Sequence, residues 1–183
     1  MPDDVVDMIM ADHREVERLF DLLENQPDQR VRNVPVLTAL LIAHSRAEEA
    51  EVYPVARDEA GASEEVAHSQ EEHLEAEQIL ERLGAADPVG TEFDRVLSEL
   101  VEAVSHHVEE EESSVLPAMR TGLDDSRLHE LADAFARSRA EHLGELPGEA
   151  TKDELLQMAE NVGLGGASSM SKQELDQELK ERA

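Results

Sequence analysis

Cysteine and tryptophan are both absent from this sequence of 183 residues. Without thiols, disulfides, thiolate metal sites, iron–sulfur clusters and cysteine nucleophiles are all excluded. The aromatic complement is Phe20, Phe93, Phe135 and Tyr53, so the core must be built from Leu, Val, Ile and Ala, which suits helices better than a sheet. Positive charge is scarce too: 16 Lys and Arg against 44 Asp and Glu leave a formal net charge of −28. That balance argues against a direct DNA, RNA or anionic-membrane surface. No window approaches the length of a membrane span. Met1-Pro2-Asp3-Asp4 has neither a basic region nor an apolar run, so a cytoplasmic protein without a secretory signal is expected.

Apolar residues recur at helical spacing through most of the chain. Val5, Ile9, Val16, Phe20 and Leu23 define a first helix, closed by Asn25-Gln26-Pro27-Asp28. Val36, Leu37, Leu40, Leu41, Val52 and Val55 define a second. A third starts near Ser63, read as its N-cap, and runs to Leu83 with Gly84 as the C′ residue. The fourth follows Asp87-Pro88-Val89-Gly90-Thr91 with Phe93, Val96, Leu97, Leu100, Val104 and Val115 on one face. Their lengths and short links predict an all-α, antiparallel up-down four-helix bundle. Asp124-Asp125-Ser126 caps a fifth helix, with Leu128, Leu131, Phe135 and Leu143 laid against that bundle. Leu146-Pro147-Gly148 ends the unit, which places a bundle domain at 1–147 and an appendage at 148–183.

Two stretches repeat each other. His44-Ser45-Arg46-Ala47-Glu48-Glu49 ends at Tyr53-Pro54, and His107-Val108-Glu109-Glu110-Glu111-Glu112 ends at Leu116-Pro117. In both, Glu follows His by four residues, a second Glu comes next, and Pro lies ten residues beyond the His. Their partners repeat as well: Asp12-His13-Arg14-Glu15 is in register with Glu72-His73-Leu74-Glu75. The chain order is therefore a doubled helical hairpin with one distinctive His per helix. Internal register selects His107 over its neighbour His106, which shares a face with Glu99 and Glu102 and reads as solvated. His68, His129 and His142 match no repeat position and read as surface or supporting residues.

Residues four apart share a helix face, so His44 with Glu48 and His107 with Glu111 point inward together with His13 and His73. Burying Glu48 and Glu111 without a cation costs several kcal/mol, and a bound ion removes that cost. The expected metal ligands are His13, His44, Glu48, His73, His107 and Glu111. Nitrogen and oxygen donors without sulfur suit iron, manganese or zinc. Two carboxylates on opposed helices favour a bridged pair of ions with one or two open positions.

The pattern of His, then HxxxE, then His, then HxxxE, with both proline endings, resembles the hemerythrin-like family, the HHE cation-binding domain, over roughly residues 3–145. The resemblance implies a four-helix bundle with a non-haem di-iron centre. The activities it implies are oxygen binding, oxygen or nitric oxide sensing, iron handling and peroxide decomposition. Small ligands are then O2, NO or H2O2. Oxygen-carrying hemerythrins have a further His four residues after the third-helix His and an Asp five residues after the fourth-helix His. Here Glu77 and Glu112 hold those places, which implies a stabilised ferric state and disfavours reversible oxygen carriage. Glu77 and its repeat mate Glu17 are candidate further ligands or supporting acids. Tyr53, the single tyrosine, is a packing residue or a phenol close to the metal.

From Thr151 the character changes. Thr151-Lys152-Asp153-Glu154 opens one short helix. Ser171-Lys172-Gln173-Glu174 opens a second with a capping box. The pair resembles the small SAP-like module of the Rho termination factor N-terminal domain, which often contacts nucleic acid. From Glu149 onward, however, eight acidic residues face four basic ones. The segment 149–183 is therefore expected to meet a protein partner or to be structural. Peroxide turnover, sensing through this segment, and iron sequestration all remain compatible with the same ligand set.

Overall fold

The computed structural model describes residues 4–183; Met1, Pro2 and Asp3, the first positions of the predicted 1–147 unit and of its N-terminus, lie outside the described residues. Among the described residues the regular structure is helical throughout. Four long rods carry the bundle: α1 (Val5–Asn25), α2 (Arg30–Ala47), α4 (Ser63–Ala85) and α5 (Thr91–Ser113). Contacts join α1 to α2, α4 to α5, α1 to α5 and α2 to α4, which closes the ring. Short helices α3 (Tyr53–Glu59) and α6 (Val115–Gly122) extend α2 and α5, and α7 (Asp125–Glu141) lies against α1 and α2. The C-terminal pair, α8 (Lys152–Asn161) and α9 (Lys172–Lys180), packs on α4.

Both breaks after the HxxxE stretches follow from proline. Pro54 and Pro117 lack an N–H, and each ring clashes with the carbonyl four residues earlier. After α2 the chain accommodates this with a widened π turn over Glu48–Val52, in which the Tyr53 N–H bonds the Glu48 carbonyl. After α5 it breaks at Ser114, at φ −126° and ψ −69°, where the Ser114 N–H reaches both the Glu110 and Glu111 carbonyls. The second helix is thus two helices joined by a π turn, where the periodicity predicts one continuous rod.

Smaller corrections apply at element ends. Ala62, not Ser63, is the N-cap of α4. Gly84 is inside α4 with no left-handed conformation, and the helix closes one residue later. Val36 and Leu143, predicted on buried faces, are 49% and 59% exposed. The caps of α7, α8 and α9 form as their sequences predict. Asp124 accepts from the Arg127 N–H, and Thr151 with Glu154 and Ser171 with Glu174 close two capping boxes.

Two apolar clusters fill the bundle. One gathers Val16, Phe20, Leu37, Leu41, Ile79, Phe93, Leu97 and Leu100; the other gathers Val5, Ile9, Tyr53, Val66, Val115, Leu131 and Phe135. A polar layer containing the four inward histidines separates them along the sequence of every rod. A third cluster docks α8 and α9 through Leu155, Met158, Leu175 and Leu179 onto Leu74.

Candidate metal centre

His13, His44, His73 and His107 are each buried, and Glu48 and Glu111 are fully so. The four rods bring these six predicted groups together. His44 Nε2 and His73 Nε2 lie 3.2 Å and 3.3 Å from Glu48 Oε2. His13 Nε2 and His107 Nε2 lie 3.3 Å and 3.9 Å from Glu111 Oε2. The His73 and His107 Nε2 atoms stand 3.1 Å apart. Donor atoms of His13, His44 and Glu48 fall within 4.8 Å of one another, and so do those of Glu48, His73 and His107. Glu48 belongs to both triads, and Glu111 touches one histidine from each.

The outward nitrogen of every ring is also held. The Nδ1 of His44 meets Asp12 at 3.2 Å, that of His107 meets Glu72 at 2.9 Å, that of His73 meets Glu49 at 3.3 Å, and that of His13 meets Glu112 at 2.9 Å. A carboxylate only accepts, so Nδ1 of each ring carries a proton, and in the neutral ring that a metal would bind the Nε2 lone pair faces inward. Asp12, Glu49 and Glu72 are supporting residues that the sequence reading left without a role, and Glu112, read as standing in the place of the oxygen carriers' Asp, instead holds the outer nitrogen of His13. The signal was present in the repeat, as the acid before each first-hairpin-helix His and the second Glu of each HxxxEE.

Inside this shell the donors lack partners. His13 Nε2, His44 Nε2 and all four carboxylate oxygens of Glu48 and Glu111 are buried and make no hydrogen bond. Buried polar atoms in that number are sustained only when something satisfies them. These two nitrogen and four oxygen donors match the donor set of a bound metal cation, so the residues fit a metal.

Charge follows the same logic. Burial opposes the His44 cation, but the charges of Glu48 and Asp12 and the hydrogen bond to Asp12 outweigh it and raise its pKa to about 10. Burial likewise opposes the His73 cation, and Glu48 and Glu49 raise it to about 9. Burial would raise the Glu48 carboxyl, yet His44 and His73 hold it well below its ordinary value. The layer therefore draws positive charge.

Two flanking candidates resolve differently. Glu77 does not face the centre: both its oxygens accept from Arg46 Nη2 at 2.9 Å, and one accepts from the Gly148 N–H at 2.7 Å. The buried Arg46 guanidinium also binds Glu49 at 3.1 Å and Glu145 at 3.0 Å. Gly148 sits at φ 81°, a conformation that suits glycine. Glu17 pairs with Arg14 on the surface at 2.6 Å. Tyr53 does reach the centre, where its hydroxyl donates to His73 Nε2 at 3.1 Å and the two rings stack. Burial and then the nearby charges of Glu111, Glu48 and Glu49 push its pKa well up, so it stays a phenol. A cavity of about 20 Å³ opens beside His13, His44, His73 and His107, walled by Leu41 and Val104.

The sequence profile described as the hemerythrin HHE cation binding domain matches residues 4–119. A protein from Nostoc sp. named DNA nickase is 30% identical over 149 residues, covering 80% of this chain and 42% of that protein. The chain thus spans less than half the length of that relative. No solved structure matches the chain.

Proposed function

This chain belongs to the hemerythrin HHE cation-binding family, and on that premise we propose that it holds a non-haem di-iron pair that binds or reacts with O2, NO or H2O2. The observation that supports this most is the set of unpartnered donors, six atoms on His13, His44, Glu48 and Glu111, within two triads that share Glu48 and also take in His73 and His107. His13, His44, His73 and His107 would hold the irons, with Glu48 and Glu111 bridging. When bound, such a pair supplies two-electron redox chemistry and an open position for a small ligand.

The chain's own groups define what can happen there. The cavity of about 20 Å³ has room for one water-sized molecule, which favours a diatomic or peroxide over an organic substrate. Leu41, Val104 and Phe135 keep bulk water away, and Phe135 packs edge-on against His44 at 5.8 Å. With the His73 Nε2 lone pair given to a metal, the Tyr53 hydroxyl beside it would be free to donate its proton to a ligand bound in the layer. Asp12, Glu49, Glu72 and Glu112 fix the ring orientations and raise imidazole basicity, which favours the ferric state.

Metal analysis of aerobically purified protein is the test. Two irons per chain with near-ultraviolet ligand-to-iron absorption are expected, and His44→Ala should lose at least one iron. A different stoichiometric metal, or iron content unchanged in His44→Ala, would refute the reading. Turnover of added H2O2 by the iron-loaded protein separates catalysis from storage.

A second reading, a sensor that signals through residues 148–183 as a separate module, has one contact in its favour. Asn161 of α8 donates to the Glu49 carbonyl and to Gln70 Oε1, both at 3.0 Å. Gln70 in turn donates to Glu49 Oε1 at 2.8 Å, and Glu49 holds His73. Hydrogen exchange in α8 and α9 that changes with iron oxidation state would favour this reading. The name of the Nostoc relative is not carried over to this chain, because a charge of −28 opposes approach to a duplex.

A further inference from the structure

Helices α4 and α5, which pack along each other, carry a second set of His–Glu pairs outside the buried layer. His68 and Glu72 lie one turn apart on α4, and His106 and Glu110 lie one turn apart on α5. Donor atoms of all four lie within 4.8 Å of one another. His68 Nε2 is 3.0 Å from Glu110 and 3.5 Å from Glu72 Oε1. His106 Nε2 is 3.3 Å from Glu110 and 3.7 Å from Glu72 Oε1. The histidines are open to solvent, but the Glu72 side chain is only 9% exposed. Its Oε1 is buried without a hydrogen-bond partner, and it is the atom that faces both rings. Its other oxygen is already taken by His107 Nδ1.

We propose that His68, Glu72, His106 and Glu110 form a second, surface-accessible site for a divalent transition ion, with Zn2+ the best match. Two imidazoles and two carboxylates suit a borderline cation. Nitrogen and oxygen donors about 2.0–2.1 Å from a tetrahedral zinc stand roughly 3.3–3.4 Å apart. The spacings to Glu72 Oε1, 3.5 and 3.7 Å, and those to Glu110, 3.0 Å from His68 to Oε2 and 3.3 Å from His106 to Oε1, lie on either side of that value, with Glu110 offering one oxygen to each ring. Ca2+ and Mg2+ fit worse, since both prefer a shell of oxygens. Among the described residues neither Glu72 nor Glu110 is paired with Lys or Arg, so two carboxylates face only the two imidazoles. A cation balances them. Glu72 gives the outer site and the buried layer one residue in common, with one oxygen for each.

Zinc retained against a chromogenic chelator by the full-length, iron-loaded protein tests this, in wild type and in the His68→Ala/His106→Ala double variant. Glu72 is left intact because it also holds His107. Wild type should retain one more zinc per chain than the double variant, with affinity at least 100-fold higher. Cobalt should give four-coordinate visible absorption in wild type only. Iron content is measured in the same samples and should be equal, so failure of the buried centre to bind iron would be seen separately. Equal zinc retention in the two proteins, whether none or the same loosely held amount, would overturn the proposal.

Discussion

Glu112 holds two groups at once: it accepts from His13 Nδ1 at 2.9 Å and from the Arg14 guanidinium. In Glu112→Gln the amide oxygen can still accept from the ring, but the negative charge that orients the imidazole and raises its basicity is gone. Loss of one such outer partner lowers metal affinity about 10–100-fold. Competition with a chelator should show a drop of that size with an unchanged helical circular dichroism signal; equal affinity would mean the charge is idle. At this scale the six inner groups were legible, because an acid four residues after a histidine on an apolar face has few other places to go. The outer acids were visible as repeated letters but not as partners, since which ring each one reaches is decided by how the rods pair. Glu77 shows the converse. It occupies a ligand position in register, yet the neighbouring buried Arg46 takes it, and nothing in the spacing of Arg46 announces that it is buried.

Among the elements, the rods were readable from their apolar period and their punctuation, but the prolines ten residues past each HxxxE histidine were read only as part of the repeat, and the breaks they bring were not foreseen. The form of the break was not readable. Pro54 and Pro117 impose the same missing donor, but one chain segment answers with a π turn and the other with a kink at Ser114. Such π turns occur often at functional positions, and this one carries Glu48 and Glu49 into the buried layer. The attachment of α8 has its own electrostatics. His142, just past α7, meets Glu154 at 2.9 Å. Burial opposes the His142 cation, but Glu154, the Ser138 carbonyl and Glu145 outweigh it and raise its pKa. Burial also opposes the Glu154 anion, and hydrogen bonds from Thr151 and His142, with Arg46 nearby, lower its pKa. A raised histidine contributes fully below its unfolded value of about 6.5 and loses that contribution as pH rises through its folded value. A lowered glutamate contributes above about 4.3 and loses it as pH falls through its folded value. The contact is therefore strongest between about pH 4.3 and 6.5. Urea denaturation should show wild type losing about 0.5–1 kcal/mol more than His142→Gln between pH 6 and pH 9. Parallel curves would remove the contact from the account.

For the molecule as a whole, net charge decides which partners can approach. The charge of −28 surrounds the bundle, and the helix pair from Glu149 adds acids rather than a basic face. Full-length protein at low salt, where a phosphate-binding surface would be strongest, should leave a labelled duplex unshifted at micromolar concentration. A shift abolished by modest salt would show a basic patch that the fold conceals. Cations are drawn instead, toward the buried layer.

The crossing pattern of the outer acids carries one more consequence. Asp12 braces His44 and Glu72 braces His107, each within a single hairpin, whereas Glu49 reaches over to His73 and Glu112 to His13. A nascent polypeptide with only its first hairpin folded therefore has one imidazole steadied and one loose. Order of assembly thus governs capture: the two hairpins must close on each other before either triad is fully braced, so an unfinished product of the ribosome is a poor trap for ions.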